Sequence, residues 1–283
     1  MSHPLSFEST SEILQAIRIP AAPAVFMELH ELMQRDEPEI DEVAAVISRD
    51  MGLAALVLKT VNSPFFGLRA PAKSIRHATT LLGLLNVSNI VAGLALRRAM
   101  ETAGGPAPEH FWESPVNVGM VAAKLTQWFS GVMPDEAYML GLFHDVGVPL
   151  MMERFADYAV RLGPGRCAGP PVTACEDAAF RTNHAVVGYL VSRSWGLPGH
   201  IGELILRHHD VPALLNENGG ALSRNGMLLV VLKMAEHIDQ RYWGKRDDPE
   251  WQYHGEAVLA YAGVSSTDFE DIVSEMLDLL STE

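Results

Sequence analysis

Apolar side chains recur along this chain at steps of three and four, the spacing that lines one face of an α-helix. In Pro23–Arg35 the stripe is Val25, Phe26, Leu29, Leu32 and Met33, opened by a proline. Ile40, Val43, Ala44 and Ile47 repeat it in Ile40–Ser48, where Asp41 and Glu42 suit a first helical turn. The same reading predicts helices at 51–61, 74–84 and 86–101, with Ser74 as N-cap of the second and Asn86 or Ser88 as N-cap of the third. Further helices are predicted at 116–130, 134–147, 149–162, 173–182, 184–195, 198–209, 226–242 and 266–281. There is no sustained alternation of period two and no Asn-Gly or Asp-Gly hairpin between β-rich runs, so a sheet is not expected. No repeat of 20–50 residues suggests a solenoid. The expected fold is all-α.

Between the predicted helices, Thr102–Glu109 is small, rich in Gly and Pro and without periodicity, and reads as a connector. Charge changes across it. Residues 1–100 carry 9 basic and 10 acidic side chains, whereas residues 101–283 carry 12 and 25. The expected organisation is an N-terminal helical subdomain over 1–105, a second helical subdomain over 106–245 and an acidic helical extension over 246–283. In that extension Phe269, Ile272, Val273, Met276, Leu279 and Leu280 form an apolar stripe expected to pack on its own domain.

The chain has 283 residues, 48% of them hydrophobic and 20% charged, with a mean hydropathy of +0.10, which is the range of an ordinary globular protein. Its formal charge of −14 repels phosphate backbones, so neither DNA nor an anionic membrane is an expected partner. No apolar run approaches the ~18 residues of a membrane span, and Met1–Ile17 lacks the basic start and apolar block of a signal peptide. The two cysteines, Cys167 and Cys175, are not spaced as C-x-x-C. A cytoplasmic, reduced setting is expected.

Candidate chemistry gathers in the second half. His144 directly precedes Asp145 at the end of the apolar run Gly141-Leu142-Phe143, late in a predicted helix, and a buried carboxylate is costly unless it is paired or binds metal. His184 opens another predicted helix, and His208 and His209 close the one after Trp195-Gly196-Leu197-Pro198. Imidazoles with a carboxylate suit a divalent transition metal such as Fe, Mn, Zn or Ni. Asn62-Ser63-Pro64-Phe65-Phe66-Gly67 reads as a helix stop whose aromatics pack in the core, and Trp195–Pro198 as a tight turn. Walker glycine loops, G-x-S-x-G elbows and H-E-x-x-H are missing from the sequence, which sets those enzyme classes aside.

In order along residues 15–240, the chain resembles the HDOD family, relatives of the HD and HD-GYP metal-dependent phosphohydrolases. The resemblance is carried by Ile19-Pro20-Ala21-Ala22-Pro23, Ile47-Ser48-Arg49-Asp50, Val61–Gly67, Ser74-Ile75, Leu81-Leu82-Gly83 and Phe111-Trp112. It continues through Gly141–Gly147, Asn183–Gly188, Trp195–Pro198 and His208-His209. It implies a multi-helix HD-like bundle behind an N-terminal helical subdomain. It also implies a non-catalytic signal-transduction module that acts through signalling proteins, with a degenerate metal site at His144, Asp145, His184, His208, His209 and Glu236. A small anionic or nucleotide ligand is a further implied partner. The alternative it implies is a metal-dependent phosphohydrolase or phosphodiesterase acting on a nucleotide or phosphodiester, with Asp145 as the catalytic residue. Departures from the catalytic pattern favour the first. Ser114 stands where working HD enzymes resemble one another in having an early histidine, with His110 four residues upstream. Either Glu236 or Asp239 fills the late carboxylate slot. Val148 follows Gly147 where the phosphodiesterases have lysine, and the nearest tripeptide to their Gly-Tyr-Pro signature is Gly188-Tyr189-Leu190.

Overall fold

The structure, a computed structural model, describes residues 17–63, 66–103, 109–162, 171–244 and 248–281. Among the described residues every regular element is helical, and no helix is long and apolar enough to cross a membrane. Contacts divide the chain into two units, one of residues 21–99 and 270–283, the other of residues 1–20 and 100–269.

The smaller unit holds α1 (Ala24–Met33), α2 (Ile40–Ser48), α3 (Met51–Val61), α4 (Ile75–Leu82) and most of α5 (Leu84–Ala103). The predicted stripes face inward: Val43, Ile47, Val57, Val61, Ala78, Val87 and Val91 are wholly buried in one cluster. Asp50 caps α3 by accepting from Leu53 N at 3.0 Å, and Ser74 caps α4 by accepting from His77 N at 3.1 Å. Asn62 ends α3 and ties the following loop through two hydrogen bonds to the backbone of Ala72, while Phe66 packs on the core cluster. α5 starts earlier than its pattern suggests. Gly83, at φ 85°, turns the chain so sharply that the new helix opens at Leu84, leaving Asn86 and Ser88 inside it rather than at its cap.

The larger unit holds α6 (Glu109–Leu125), α7 (Pro134–Phe143), α8 (Gly147–Arg154), α9 (Tyr158–Arg161), α10 (Val172–Phe180), α11 (His184–Ser194), α12 (Gly199–Arg207), α13 (Val211–Leu215), α14 (Arg224–Tyr242) and α15 (Pro249–Ala262). α16 (Ser266–Ser281) follows, with Phe269, Ile272, Val273, Met276 and Leu280 of its stripe buried. Two glycines let helices approach until backbones touch. A Cβ on Gly141 of α7 would sit 2.8 Å from Gly119 Cα of α6, and one on Gly147 of α8 only 2.0 Å from the His184 carbonyl oxygen of α11. Trp195, fully buried after α11, packs edge-on to Phe143 at 5.6 Å and donates from Nε1 to Pro20 O at 3.0 Å.

Several boundaries move. α6 begins at Glu109 and carries Pro115 inside it, seven residues before the predicted start. The predicted 134–147 helix ends at Phe143, and 149–162 splits into α8 and α9. α13 and α15 were not predicted: α13 is only five residues long, too short for a repeating stripe, and α15 starts on local chemistry, with Pro249 in its first turn and Asp248 accepting from Trp251 N. Cys175 lies in α10 and is disulfide-bonded, so cysteine usage lends no support to a reduced setting. Residues 104–108 of the expected connector, the His110 side chain and Cys167 lie outside the described residues.

Candidate metal centre

The His144-Asp145 pair sits in the three-residue turn between α7 and α8, not within a helix as its sequence context suggests. That turn is pinned on one side by the Gly119–Gly141 contact and on the other by Gly147 against His184. His184 is the first residue of α11, fixed because Asn183 caps the helix by accepting from Val186 N at 2.9 Å. His208 and His209 form the turn that leaves α12. Two turns and the start of a helix, from distant parts of the chain, thus meet at one point.

Distances define the group. Asp145 Oδ1 lies 3.3 Å from His184 Nε2 and 3.7 Å from His208 Nε2. His184 Nε2 lies 3.5 Å from His208 Nε2 and 3.0 Å from His209 Nε2. One donor atom from each of Asp145, His184, His208 and His209 falls within 4.8 Å of the others. His144 stands beside them, its Nε2 at 3.4 Å from both Asp145 Oδ2 and Glu236 Oε1.

Each imidazole is held by its other nitrogen. Nδ1 of His144 and His208 donates to the carbonyls of Gly141 and Ile205, both at 2.7 Å. Nδ1 of His184 donates to Glu176 at 2.7 Å, and Nδ1 of His209 to Glu250 at 3.0 Å. A neutral imidazole that donates from Nδ1 turns its lone pair outward on Nε2. His184 and His209 bring their Nε2 atoms within 3.0 Å of each other, so two donor atoms converge on one place. The donor set, three imidazoles and a carboxylate with their outer nitrogens anchored, fits one four-coordinate divalent transition metal.

Electrostatics separate the ligands from their neighbours. Burial holds His208 well below the usual imidazole range, reinforced by His209, whose own pKa is lowered by burial. Burial works the same way on His184, but Glu176 overrides it and raises that pKa. His144 shows the same contest: burial opposes its charge, yet Asp145, with Glu236 behind it, lifts it to about 9. Burial alone would raise Asp145, but the surrounding imidazoles hold its carboxyl well below the ordinary value.

A cavity of about 210 Å³ opens beside the group. Its walls carry the carboxylates of Asp145, Glu236, Asp239, Asp248 and Glu250 against one lysine, Lys233. Ser114 and Asp239, the slots of the early histidine and of one candidate late carboxylate, are bonded to each other: the Ser114 hydroxyl donates to Asp239 Oδ2, and Asn117 Nδ2 and Trp243 Nε1 donate to Oδ1, each at 3.1 Å. Glu236, the other candidate, faces His144. Sequence reading missed Glu176, Glu250 and Lys233. Glu176 is wholly buried, accepting from the Tyr158 hydroxyl as well as from His184, yet nothing in its helix Val172–Phe180 marks it out from a surface acid.

The HDOD domain model matches residues 19–211. An uncharacterised protein of Treponema pallidum is 22% identical over 196 residues, which are 69% of this chain and 38% of that protein. Among solved structures, an HDOD domain protein of unknown function from Geobacter sulfurreducens superposes with a TM-score of 0.74 at 22% identity, covering 96% of this chain and 94% of the other. A presumed phosphohydrolase from Shewanella amazonensis SB2B gives 0.71 at 21% identity over 98% and 96%. A presumed signal-transduction protein from Marinobacter aquaeolei VT8 gives 0.70 at 16% identity over 96% and 64%. At these identities the structural likeness speaks for the all-helical fold.

Proposed function

The chain belongs to the HDOD family, and from that premise we propose that it is a non-catalytic signalling module that holds one divalent metal and acts through protein partners. The observation that carries this reading is the Ser114–Asp239 hydrogen bond. A serine hydroxyl is a poor ligand for a transition metal, and here it satisfies Asp239, one of the two candidate late carboxylates. The remaining donors, Asp145, His184, His208 and His209, suffice for one ion. When bound, the metal would supply a Lewis acid and a rigid tie among two turns and the start of α11; hydrolysis of phosphodiesters characteristically draws on two such ions.

The chain's own groups support the same reading. Asp145 presents a carboxylate, Glu176 and Glu250 hold His184 and His209 with Nε2 inward, and Gly141 and Ile205 carbonyls do so for His144 and His208. Five carboxylates on the cavity wall repel a polyanionic substrate while favouring a cation. The family resemblance points to signalling proteins as the partners.

Elemental analysis of protein purified without chelator or affinity metal tests the reading, paired with a phosphodiester-hydrolysis screen of the metal-loaded protein. One equivalent of Fe, Mn, Zn or Ni with no turnover is expected. Two equivalents with turnover that Asp145→Ala abolishes would establish the phosphohydrolase instead.

A further inference from the structure

The metal group is one arc of a closed polar ring. From Asp145 the ring runs through His184 at 3.3 Å to His209 at 3.0 Å, and on through His209 Nδ1 to Glu250 Oε1 at 3.0 Å. It continues from Glu250 Oε1 to Lys233 Nζ at 2.9 Å and from Nζ to Glu236 Oε2 at 2.8 Å, then returns from Glu236 Oε1 to His144 and from His144 to Asp145, each at 3.4 Å. Six of the seven members are groups that a transition metal accepts as ligands. The seventh is an ammonium.

Lys233 is 3% exposed, near the middle of α14, and burying an ammonium there is unfavourable unless opposite charges surround it. Glu236, one turn along the same helix, and Glu250, in the first turn of α15, do so. Both carboxylates also touch a histidine, Glu236 through its other oxygen and Glu250 through the same one. The ammonium thus lies where carboxylates and imidazoles converge from two sides, as they would around a metal.

We propose that the Lys233 ammonium is a built-in substitute for a second metal ion, occupying the place between Glu236 and Glu250 and restricting the ring to one divalent cation. The inference rests on the single-metal reading above and explains its stoichiometry. Within the ring, three carboxylates face one ammonium and one divalent ion, so positive charge already equals negative before any histidine takes a proton. A second divalent ion beside Lys233 would leave the ring positively charged in a site closed to solvent on most sides, at a steep electrostatic cost. Removing the ammonium reverses the balance: two carboxylates and His144 Nε2 then face a space freed by the lysine side chain, and a second ion restores what was lost. The lysine at 233 thus bars an ion from the place between Glu236 and Glu250, independently of the Ser114–Asp239 bond.

The test is the number of Mn²⁺ ions bound by the demetallated full chain, measured by calorimetric titration and by electron paramagnetic resonance, which detects spin coupling between adjacent ions. Wild type and Lys233→Arg are expected to bind one uncoupled ion. Lys233→Ala is expected to bind two, with a coupled spectrum, and to return to one when Glu236→Gln is added. Lys233→Gln, which keeps most of the side-chain volume without its charge, serves as the second variant if Lys233→Ala folds only with metal present; it too is expected to bind a second ion. Two ions in wild type would overturn the proposal, as would one ion in both neutral variants. No ion in wild type would overturn the metal reading itself.

Discussion

Single side chains decide what the centre can hold, and the deciding ones are mostly not ligands. Glu176 holds both the ring and the backbone N–H of His184, so Glu176→Ala frees the imidazole to rotate without removing it. Metal affinity is expected to fall about 10–100-fold, the usual loss when an outer partner of a ligating histidine is removed, as read by competition with a metallochromic chelator. Glu176→Gln keeps an acceptor for Nδ1 and should recover most of that loss. Ala at His184 should abolish binding, because the group that includes Asp145, His208 and His209 then loses its central member. The residues that converge were legible in the sequence as candidates, through an HD pair, a helix-opening histidine and a double histidine. Glu176 was not, because a buried acid and an exposed acid are the same letter.

At the scale of elements, caps and contact glycines set where the ligands stand. A methyl at position 147 would overlap the His184 carbonyl oxygen, 2.0 Å away, so α8 and α11 must separate. Gly147→Ala is expected to cost about 3 kcal/mol, at the upper end of overpacking penalties, and to weaken metal binding along with it; chemical denaturation with and without Mn²⁺ would show both. Gly199, where an added methyl would meet open space, provides the contrast: Gly199→Ala should leave stability nearly unchanged. In the smaller unit, Asp50 caps α3 and pairs with Arg98, and the Leu53 N–H together with Arg98 lowers its pKa from 3.8. A lowered folded-state pKa means that the stabilisation is present above 3.8 and disappears as pH falls through the lower folded value. Thermal melts of wild type and Asp50→Ala should therefore differ at neutral pH and converge in strong acid. Helix positions were legible where an apolar stripe was clear, as in α2, or where a cap was, as with Ser74 before α4. The boundaries around His144 were not, because a buried turn between two packed helices has no polar or glycine-rich stretch to announce it.

For the whole molecule, a metal bound where two turns and the start of α11 meet would stabilise the folded state alone. At a hundredfold excess of Mn²⁺ over its Kd, the larger unit should gain about 2.7 kcal/mol, visible by calorimetry as an upward shift of its transition and missing from a His184→Ala/His209→Ala variant. The amino-acid sequence by itself determined that the regular elements of the described residues are helices, that the candidate ligands lie after residue 140 and that the motifs follow the HDOD order, because periodicity, capping and short motifs are local properties written in neighbouring letters. Only the tertiary structure decided that Asp145, His184, His208 and His209 share one point, that Ser114 satisfies Asp239, and that Lys233 is buried between Glu236 and Glu250. Those facts depend on how helices far apart in the chain pack, through contacts as specific as a glycine against a carbonyl. Charges acquire their meaning there, since the same lysine in water would be an ordinary surface cation and here stands where a metal would.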